Sequence, residues 1–162
     1  MATFRTNTQD IGDPLMSSLA TAPREYMPGV AVKPSIDCMT VYELSQRFFF
    51  EAAHTLNRSI ETEGSLRIHG HTYEAEVTVA GQPDPTSGML IDLGYLRGEI
   101  ARVKEMLDHR FLDEVQGLGS ATIENLCAFI RAQMEDSVPG LCAVMIERRA
   151  SGDRCILRWR KG

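Results

Sequence analysis

The sequence lacks several features that would place it in a specialised class of protein. Its 162 residues contain no apolar run approaching the roughly 18 residues that a transmembrane helix needs. No charged start followed by an apolar core marks a secretory signal, so we expect a cytoplasmic protein. Lysine and arginine total 17 against 22 acidic residues, which gives a net charge of −5 at pH 7. Without basic runs, we expect no binding to nucleic acid or to membranes.

The four cysteines show no Cys-x-x-Cys spacing, and we interpret them as reduced thiols that are mostly buried. Cys38 differs because it precedes the first predicted strand and can reach a metal ion. Four of the seven prolines fall in residues 1–38, which show no sustained hydrophobic period. This segment is interpreted as a partly ordered N-terminal extension, and residues 39–162 as one domain.

The domain alternates between strand and helix patterns. Alternating apolar residues predict strands over 41–54, 69–80, 141–148 and 154–158, with a loop over 55–67. Apolar residues at three- and four-residue steps predict two helices, one capped by Asp92 and running to Leu107, the other capped by Thr122. This order predicts an α+β fold, in which a four-stranded antiparallel sheet has two helices on one face, between strands 2 and 3.

Three of the four histidines can converge at one end of this sheet. His69 and His71 are two residues apart, so on a strand both imidazoles project from the same face. His54 ends the preceding strand and comes alongside them if the two strands pair. Three imidazoles suit zinc and leave a fourth position for water or substrate. The pattern therefore favours a catalytic zinc site, and histidines of the core or surface without any metal are the alternative.

Two further positions carry candidate chemistry. His109 follows Asp108. An imidazole that donates a hydrogen bond to a carboxylate is suited to act as a general acid or base. The alternative is an imidazolium that interacts with the C-terminal end of a helix dipole. Glu147 interrupts an apolar strand, so its carboxylate either faces solvent or pairs with the N–H groups of a heterocyclic ligand.

Six sequence features, taken in order, resemble the motifs of one enzyme family. They include the His-Gly-His sequence at 69–71 and the Leu-Asp-His sequence at 107–109. The full set comprises residues 49–54, 67–81, 88–93, 107–109, 121–126 and Glu147. On these segments the chain resembles the 6-pyruvoyl-tetrahydropterin synthase and 6-carboxy-tetrahydropterin synthase family, over about residues 43–159.

The resemblance implies a fold and an assembly. The fold is the tunnelling fold, with a four-stranded antiparallel sheet and two helices between its second and third strands. The assembly is a homo-oligomer, usually a hexamer built as a dimer of trimers, with sites at subunit interfaces. Closure of the sheets into a barrel would also cover their edges.

The resemblance also implies a site. His54, His69 and His71 would hold Zn²⁺, and the metal would polarise the substrate. Glu147 and Thr122 would bind the pterin ring. Asp108 and His109 would belong to the acid–base relay. The implied enzyme is a lyase of 7,8-dihydroneopterin triphosphate, nearest the 6-carboxy-tetrahydropterin synthase of queuosine biosynthesis.

One position departs from the family pattern. The family usually carries a catalytic cysteine four residues before the first histidine of His-Gly-His, and this chain has Ser65 there. A serine hydroxyl is far less acidic than a thiol and needs its own base. His109 can activate Ser65, or Glu61 or Glu63 can supply the base. The third possibility is altered or aldol-type chemistry with the pterin ligand and zinc retained.

Two competing functions follow from that departure. One is a non-catalytic pterin- or purine-binding oligomer, and the other is a structural zinc module closed by Cys38 as the fourth ligand. For a triphosphate, the candidate cations are Arg47, Arg58 and Arg67, each of which can equally be a solvated side chain.

Overall fold

One β-sheet organises the part of the chain that the structure, a computed structural model, describes: residues 40–60 and 62–159. The strands are β1 Tyr42–His54, β2 His69–Gly81, β3 Arg110–Phe111, β4 Leu141–Arg148 and β5 Asp153–Arg158. The helices are α1 Thr62–Ser65, α2 Leu93–Leu107 and α3 Ile123–Met134, and a short 3₁₀ helix covers Leu112–Glu114. The strands lie in the order β3-β1-β2-β4-β5, and all pairs are antiparallel except β1 with β3.

The predicted α+β architecture is confirmed, but the predicted strand number is wrong. The sheet has five strands because β3 adds to the edge of β1 in parallel, opposite Ala52 and Ala53. Two residues are too few to show a hydrophobic period, so the pattern could not indicate this strand. For the same reason the predicted loop over 55–67 contains the single turn α1.

Two helix starts follow the predicted caps. Oδ1 of Asp92 accepts hydrogen bonds from the backbone N–H groups of Gly94 and Tyr95, at 2.6 and 3.2 Å. Oγ1 of Thr122 accepts from the backbone N–H of Asn125 at 3.2 Å. These side chains satisfy N–H groups that have no partner within the first turn of a helix. Among the described residues, no helix has both the length and the apolar composition for a membrane span.

The hydrophobic core lies between the sheet and the helices α2 and α3. On β1 and β2 the register pairs Phe50 with Tyr73 and His54 with His69, so these four side chains share the core face. Tyr73 is fully buried and stacks on Phe50 with 4.8 Å between the ring centroids. The histidines therefore lie on the core face as well, between the Phe50–Tyr73 pair and the end of the two strands.

The opposite face of the sheet is less solvated than its polar sequence indicates. Glu74 is only 2% exposed, although it lies on the face opposite the hydrophobic core. Arg47 and Arg149 cover it, with nitrogen–oxygen distances of 3.0 and 2.5 Å to its two carboxylate oxygens. Two cations around one carboxylate compensate for the cost of its burial.

The three described cysteines are free thiols. Cys127 is buried, whereas Cys142 and Cys155 are partly buried, in agreement with their interpretation as reduced residues. The predicted extension over 1–38 and its Cys38 lie outside the described residues.

Candidate metal centre

The structure brings His54, His69 and His71 together at the end of the core face. One ring nitrogen from each residue lies within 4.8 Å of the other two. The ring centroids are 4.4 to 5.2 Å apart. The β1–β2 register produces this grouping, because it places His54 directly opposite His69 and Ala52 opposite His71. The convergence that the sequence predicted is therefore present.

His54 is the most constrained member of the group. It is fully buried, and neither ring nitrogen has a hydrogen-bond partner. Burial, followed by the proximity of His69 and His71, lowers its pKa to about 4, so the ring is neutral at pH 7. A neutral imidazole with an unused lone pair is the form that binds a metal ion. A divalent cation would satisfy a group that is otherwise costly to bury, so the three histidines fit such an ion.

The other two rings are oriented by hydrogen bonds. Nδ1 of His69 lies 2.8 Å from the carbonyl oxygen of Arg67, so it carries the proton and leaves Nε2 as a free lone pair. Nε2 of His71 accepts from Nη1 of Arg148 at 3.3 Å. Burial, followed by the charge of Arg148, lowers the pKa of His71 below its usual value. Both rings are thus held in defined orientations.

The end of β1 is fixed by Asp113 from the 3₁₀ helix. Both of its carboxylate oxygens accept from the backbone N–H of Thr55 at 3.2 Å, and the Thr55 hydroxyl also donates to it. Thr55 directly follows His54. This bridge between two elements restricts the position of the buried imidazole.

A cavity of about 590 Å³ opens beside His54 and His69. Ser65, Thr122 and Arg58 line it. Its other charged lining residues are Glu124, Arg148, Asp153 and Arg154. The cavity is therefore lined by two imidazoles, three arginines and two carboxylates, a net positive set that favours an anionic ligand with a polar body.

Two of the arginines predicted for a triphosphate do not line this cavity. Arg47 lies on the opposite face, where Nε donates to Glu76 at 2.7 Å and Nη1 to Glu74 at 3.0 Å. Arg67 is exposed, and its backbone oxygen holds His69.

Ser65 ends α1 and is 7% exposed. Its hydroxyl donates to the backbone oxygen of Thr62 at 3.0 Å, and its own carbonyl accepts from the backbone N–H of Leu56 at 2.8 Å. The hydroxyl is thus engaged within the helical turn. Glu63, one of the candidate bases, is exposed on the same turn, and Glu61 lies outside the described residues.

Asp108 and His109 are in contact with each other and with the edge of β1. Nδ1 of His109 lies 3.2 Å from Oδ1 of Asp108, which also accepts from the backbone N–H of Glu51 at 2.9 Å. That backbone donor, more than the nearby Lys104 and His109, lowers the pKa of Asp108. The backbone N–H of His109 donates to the Glu51 carbonyl at 2.6 Å, and its φ of 56° is left-handed.

His109 and Ser65 belong to different cavities. His109 shares a second cavity, of about 530 Å³, with His71, Gly70 and Thr72. It is also highly exposed, with 77% of its side chain accessible. Activation of Ser65 by His109 within one chain is therefore not supported by their placement.

Glu147 lies on the face opposite to the histidines. The β2–β4 register pairs it with Glu74, whereas Ile146 pairs with Ala75 on the core face. Successive side chains on a strand point to opposite faces, so Glu147 turns away from the metal centre of its own chain. Within the described residues of one chain, the structure does not bring Glu147 to the three histidines.

The sequence reasoning missed four charged residues of the first cavity: Glu124, Arg148, Asp153 and Arg154. For Arg148 and Asp153 the available signal was the strand period, whereas Arg154 pairs with Glu147 and had no such signal. Once Glu147 is assigned to one face, Arg148 must project from the other, which is the histidine face. Asp153 pairs with Arg148 across the β4–β5 hairpin.

The chain is similar to proteins of pterin metabolism. The family model described as 6-pyruvoyl tetrahydropterin synthase matches residues 43–158. The 6-carboxy-5,6,7,8-tetrahydropterin synthase of Synechocystis sp. is 38% identical over 62% of this chain and 81% of the relative. The dihydroneopterin monophosphate aldolase of Pyrococcus furiosus is 31% identical over 58% of this chain and 75% of the relative.

A solved structure agrees with these sequence similarities. The structure of Caenorhabditis elegans 6-pyruvoyl tetrahydropterin synthase superposes with a TM-score of 0.65 and 28% identity. It covers 75% of this chain and 98% of the other chain. The three similar proteins carry the names of three different reactions.

Proposed function

We propose, from the premise that the chain belongs to the 6-pyruvoyl tetrahydropterin synthase family, that it is a zinc-dependent carbon–oxygen or carbon–carbon lyase. The proposed substrate is 7,8-dihydroneopterin triphosphate or a close pterin analogue. Among the family's activities we favour that of 6-carboxy-tetrahydropterin synthase, of the queuosine pathway, because a relative with that name is 38% identical over 81% of its own length.

The observation that carries the proposal is the group of three histidines around a buried ring without partners. Both nitrogens of His54 are orphaned, and His69 and His71 stand beside it on the same face. Three imidazoles are the ligand set of catalytic zinc sites, which keep one position open. Bound there, zinc would supply Lewis-acid polarisation of substrate oxygens.

The residues of the chain supply recognition and proton handling around that centre. Thr122 contributes a hydroxyl to the lining of the cavity, and Arg58 contributes positive charge for a phosphate. The two carboxylate oxygens of Glu147 accept hydrogen bonds from two N–H groups of the pterin ring. Asp108 holds the ring of His109 for proton transfer.

The assembly that completes this site is a homo-oligomer, proposed as a hexamer of two trimers. Support comes from the separation of the candidate groups within one chain. Glu147 lies on the opposite face from the histidines, and His109 is exposed at the sheet edge. A neighbouring copy would bring such groups to the metal centre and would cover the edge strands.

A second function is favoured by the contacts of Ser65. Its hydroxyl is buried and donates to a backbone carbonyl, so it lacks a base that would make it a proton acceptor. The alternative is therefore a zinc-containing pterin- or purine-binding oligomer with altered or absent chemistry.

The experiment that separates the two functions is a product assay. Zinc-loaded protein is incubated with 7,8-dihydroneopterin triphosphate, and the pterin products are identified by mass spectrometry. A released triphosphate or a cleaved side chain, lost in His69→Ala, supports the lyase. Turnover in Ser65→Cys but not in the wild type supports the altered-chemistry alternative. If neither protein reacts while zinc is fully bound, the lyase proposal is refuted.

A further inference from the structure

Arg148 is the cation most closely tied to the metal centre. It ends β4 on the histidine face, opposite Asp153, and 20% of its side chain is exposed. Nη2 donates to Oδ2 of Asp153 at 2.6 Å, and the hydroxyl of Ser151 donates to the same oxygen at 2.8 Å. Nε is buried and has no hydrogen-bond partner. The guanidinium is therefore anchored at one nitrogen and unsatisfied at another.

The remaining contact of Arg148 occupies a metal-ligating atom. Nη1 donates to Nε2 of His71 at 3.3 Å. A neutral imidazole has one lone pair, and in this tautomer Nδ1 carries the proton. The nitrogen that accepts from Arg148 is thus the atom that would coordinate a metal ion. Because one lone pair cannot serve both, the hydrogen bond and coordination through Nε2 exclude each other.

Displacement of Arg148 from His71 would leave a guanidinium with free donors beside the metal. The ion pair with Asp153 would keep it near the cavity, where Arg58 and Arg154 also lie. Two adjacent guanidinium N–H groups match two oxygens of a phosphate or sulfate. Positive charge next to a divalent cation is itself unfavourable until an anion compensates it.

We propose that Arg148 competes with the metal ion for His71 and, once displaced, binds a tetrahedral oxyanion such as a phosphate ester beside the metal. The inference rests on the proposed zinc site and adds a coupling to it. Without the anion, Arg148 weakens zinc binding. With the anion, zinc and the oxyanion each raise the affinity of the protein for the other by the same factor, because coupling between two sites is reciprocal.

The test measures zinc affinity by competition with a fluorescent chelator at pH 7.5 and constant ionic strength. Arg148→Met removes the donor and the charge but keeps the length of the side chain. The matched control is Arg158→Met, which makes the same charge change opposite Ala143, at the other end of the β4–β5 pair. We expect Arg148→Met to bind zinc about tenfold more tightly than the wild type, since a charge-assisted hydrogen bond no longer competes. Arg158→Met should stay within about twofold of the wild type.

A second arm uses sulfate as the probe of the oxyanion site. In the wild type, sulfate that replaces chloride at equal ionic strength should tighten zinc binding several-fold, and in Arg148→Met it should not. This arm decides the question in the wild type alone if Arg148→Met does not fold. Equal zinc affinity in wild type and variant, or no sulfate effect in the wild type, overturns the inference while the zinc site stands. Absence of zinc binding in the wild type overturns the zinc site itself.

Discussion

Replacement of His54 by leucine should stabilise the metal-free protein while it abolishes metal binding. His54 is fully buried with both ring nitrogens unpaired. Leucine is similar in size and has no polar atom to satisfy. The substitution therefore removes a cost from the folded state, whereas most changes at a buried position add one.

The size of the effect follows from the two orphaned atoms. Each buried donor or acceptor without a partner costs about 1–3 kcal/mol, and repacking around a residue of similar volume costs up to about 1.5 kcal/mol. Two atoms in the lower part of that range cost about 2–4 kcal/mol, so after about 1 kcal/mol of repacking we expect the metal-free variant to be more stable by about 1–3 kcal/mol. With a denaturant slope of about 2 kcal/mol per molar, its urea midpoint should rise by about 1 M.

Urea unfolding in EDTA and in excess zinc measures both consequences. Zinc at a thousand times its Kd should stabilise the wild type by about 4.1 kcal/mol and leave His54→Leu unchanged, so the order of stability reverses. His69→Leu is the control, because Nδ1 of His69 has a partner in the Arg67 carbonyl. It should lose the response to zinc without any gain in EDTA. A His54→Leu protein that is less stable than the wild type in EDTA would refute the reasoning.

Three further predictions concern other parts of the described chain. Gly140 and Gly117 both have a left-handed backbone, with φ of +75° and +86°. A Cβ added at Gly140 would lie 2.7 Å from a backbone oxygen of β2, whereas one added at Gly117 would meet open space. Gly140→Ala should therefore destabilise the fold more than Gly117→Ala. The strain common to both is about 1–2 kcal/mol, measured by urea unfolding. The backbone N–H of Glu51 lowers the pKa of Asp108, so Asp108→Asn should cost less than about 1 kcal/mol at pH 7 and progressively less as the pH falls through that pKa. Burial raises the pKa of the Cys127 thiol to about 12, so iodoacetamide at pH 8 should alkylate it only after unfolding, as read by mass spectrometry.

Each of these has a clear contrary result. Equal destabilisation of the two glycine variants would show that the close approach of a backbone oxygen at Gly140 adds no cost. The sign for Asp108 follows from a pKa that is lower in the folded than in the unfolded state. Its stabilisation is present above the unfolded value and is lost on acidification. A difference that grows below pH 4 would contradict it. Rapid alkylation of native Cys127 would contradict its burial.

The long elements of the fold were accessible from the sequence because each carries several turns or alternations of one pattern. The helix that begins after Asp92 has buried residues at three- and four-residue steps, and its cap is a side chain of the expected type. β3 and α1 have two and four residues, so no period exists to detect. Their positions depend on tertiary packing. In β3's neighbourhood, for example, the backbone N–H of Glu51 donates to Asp108, and the backbone N–H of His109 donates to the Glu51 carbonyl.

The site likewise has a part that local sequence patterns predict and a part that depends on contacts between strands. Convergence of the three histidines follows from strand period and pairing, both of which are local properties of the sequence. The burial of Glu74, and the hydrogen bond from Arg148 to His71, depend on side chains that meet across strands. Arg47 was a candidate phosphate ligand, but it pairs with Glu74, 27 residues away, and both lie on the face of the sheet opposite the histidines. An arginine side chain is long enough to reach several carboxylates, and the spacing of residues in the sequence does not specify which one it pairs with.

The most direct measurement of the central claim is zinc content combined with X-ray absorption spectroscopy of the purified protein. We expect about one zinc per chain, three imidazole nitrogens bound to it at about 2.0–2.1 Å, and loss of the metal in His54→Leu. Protein that takes up no zinc, or that retains it fully in His54→Leu, would contradict the account.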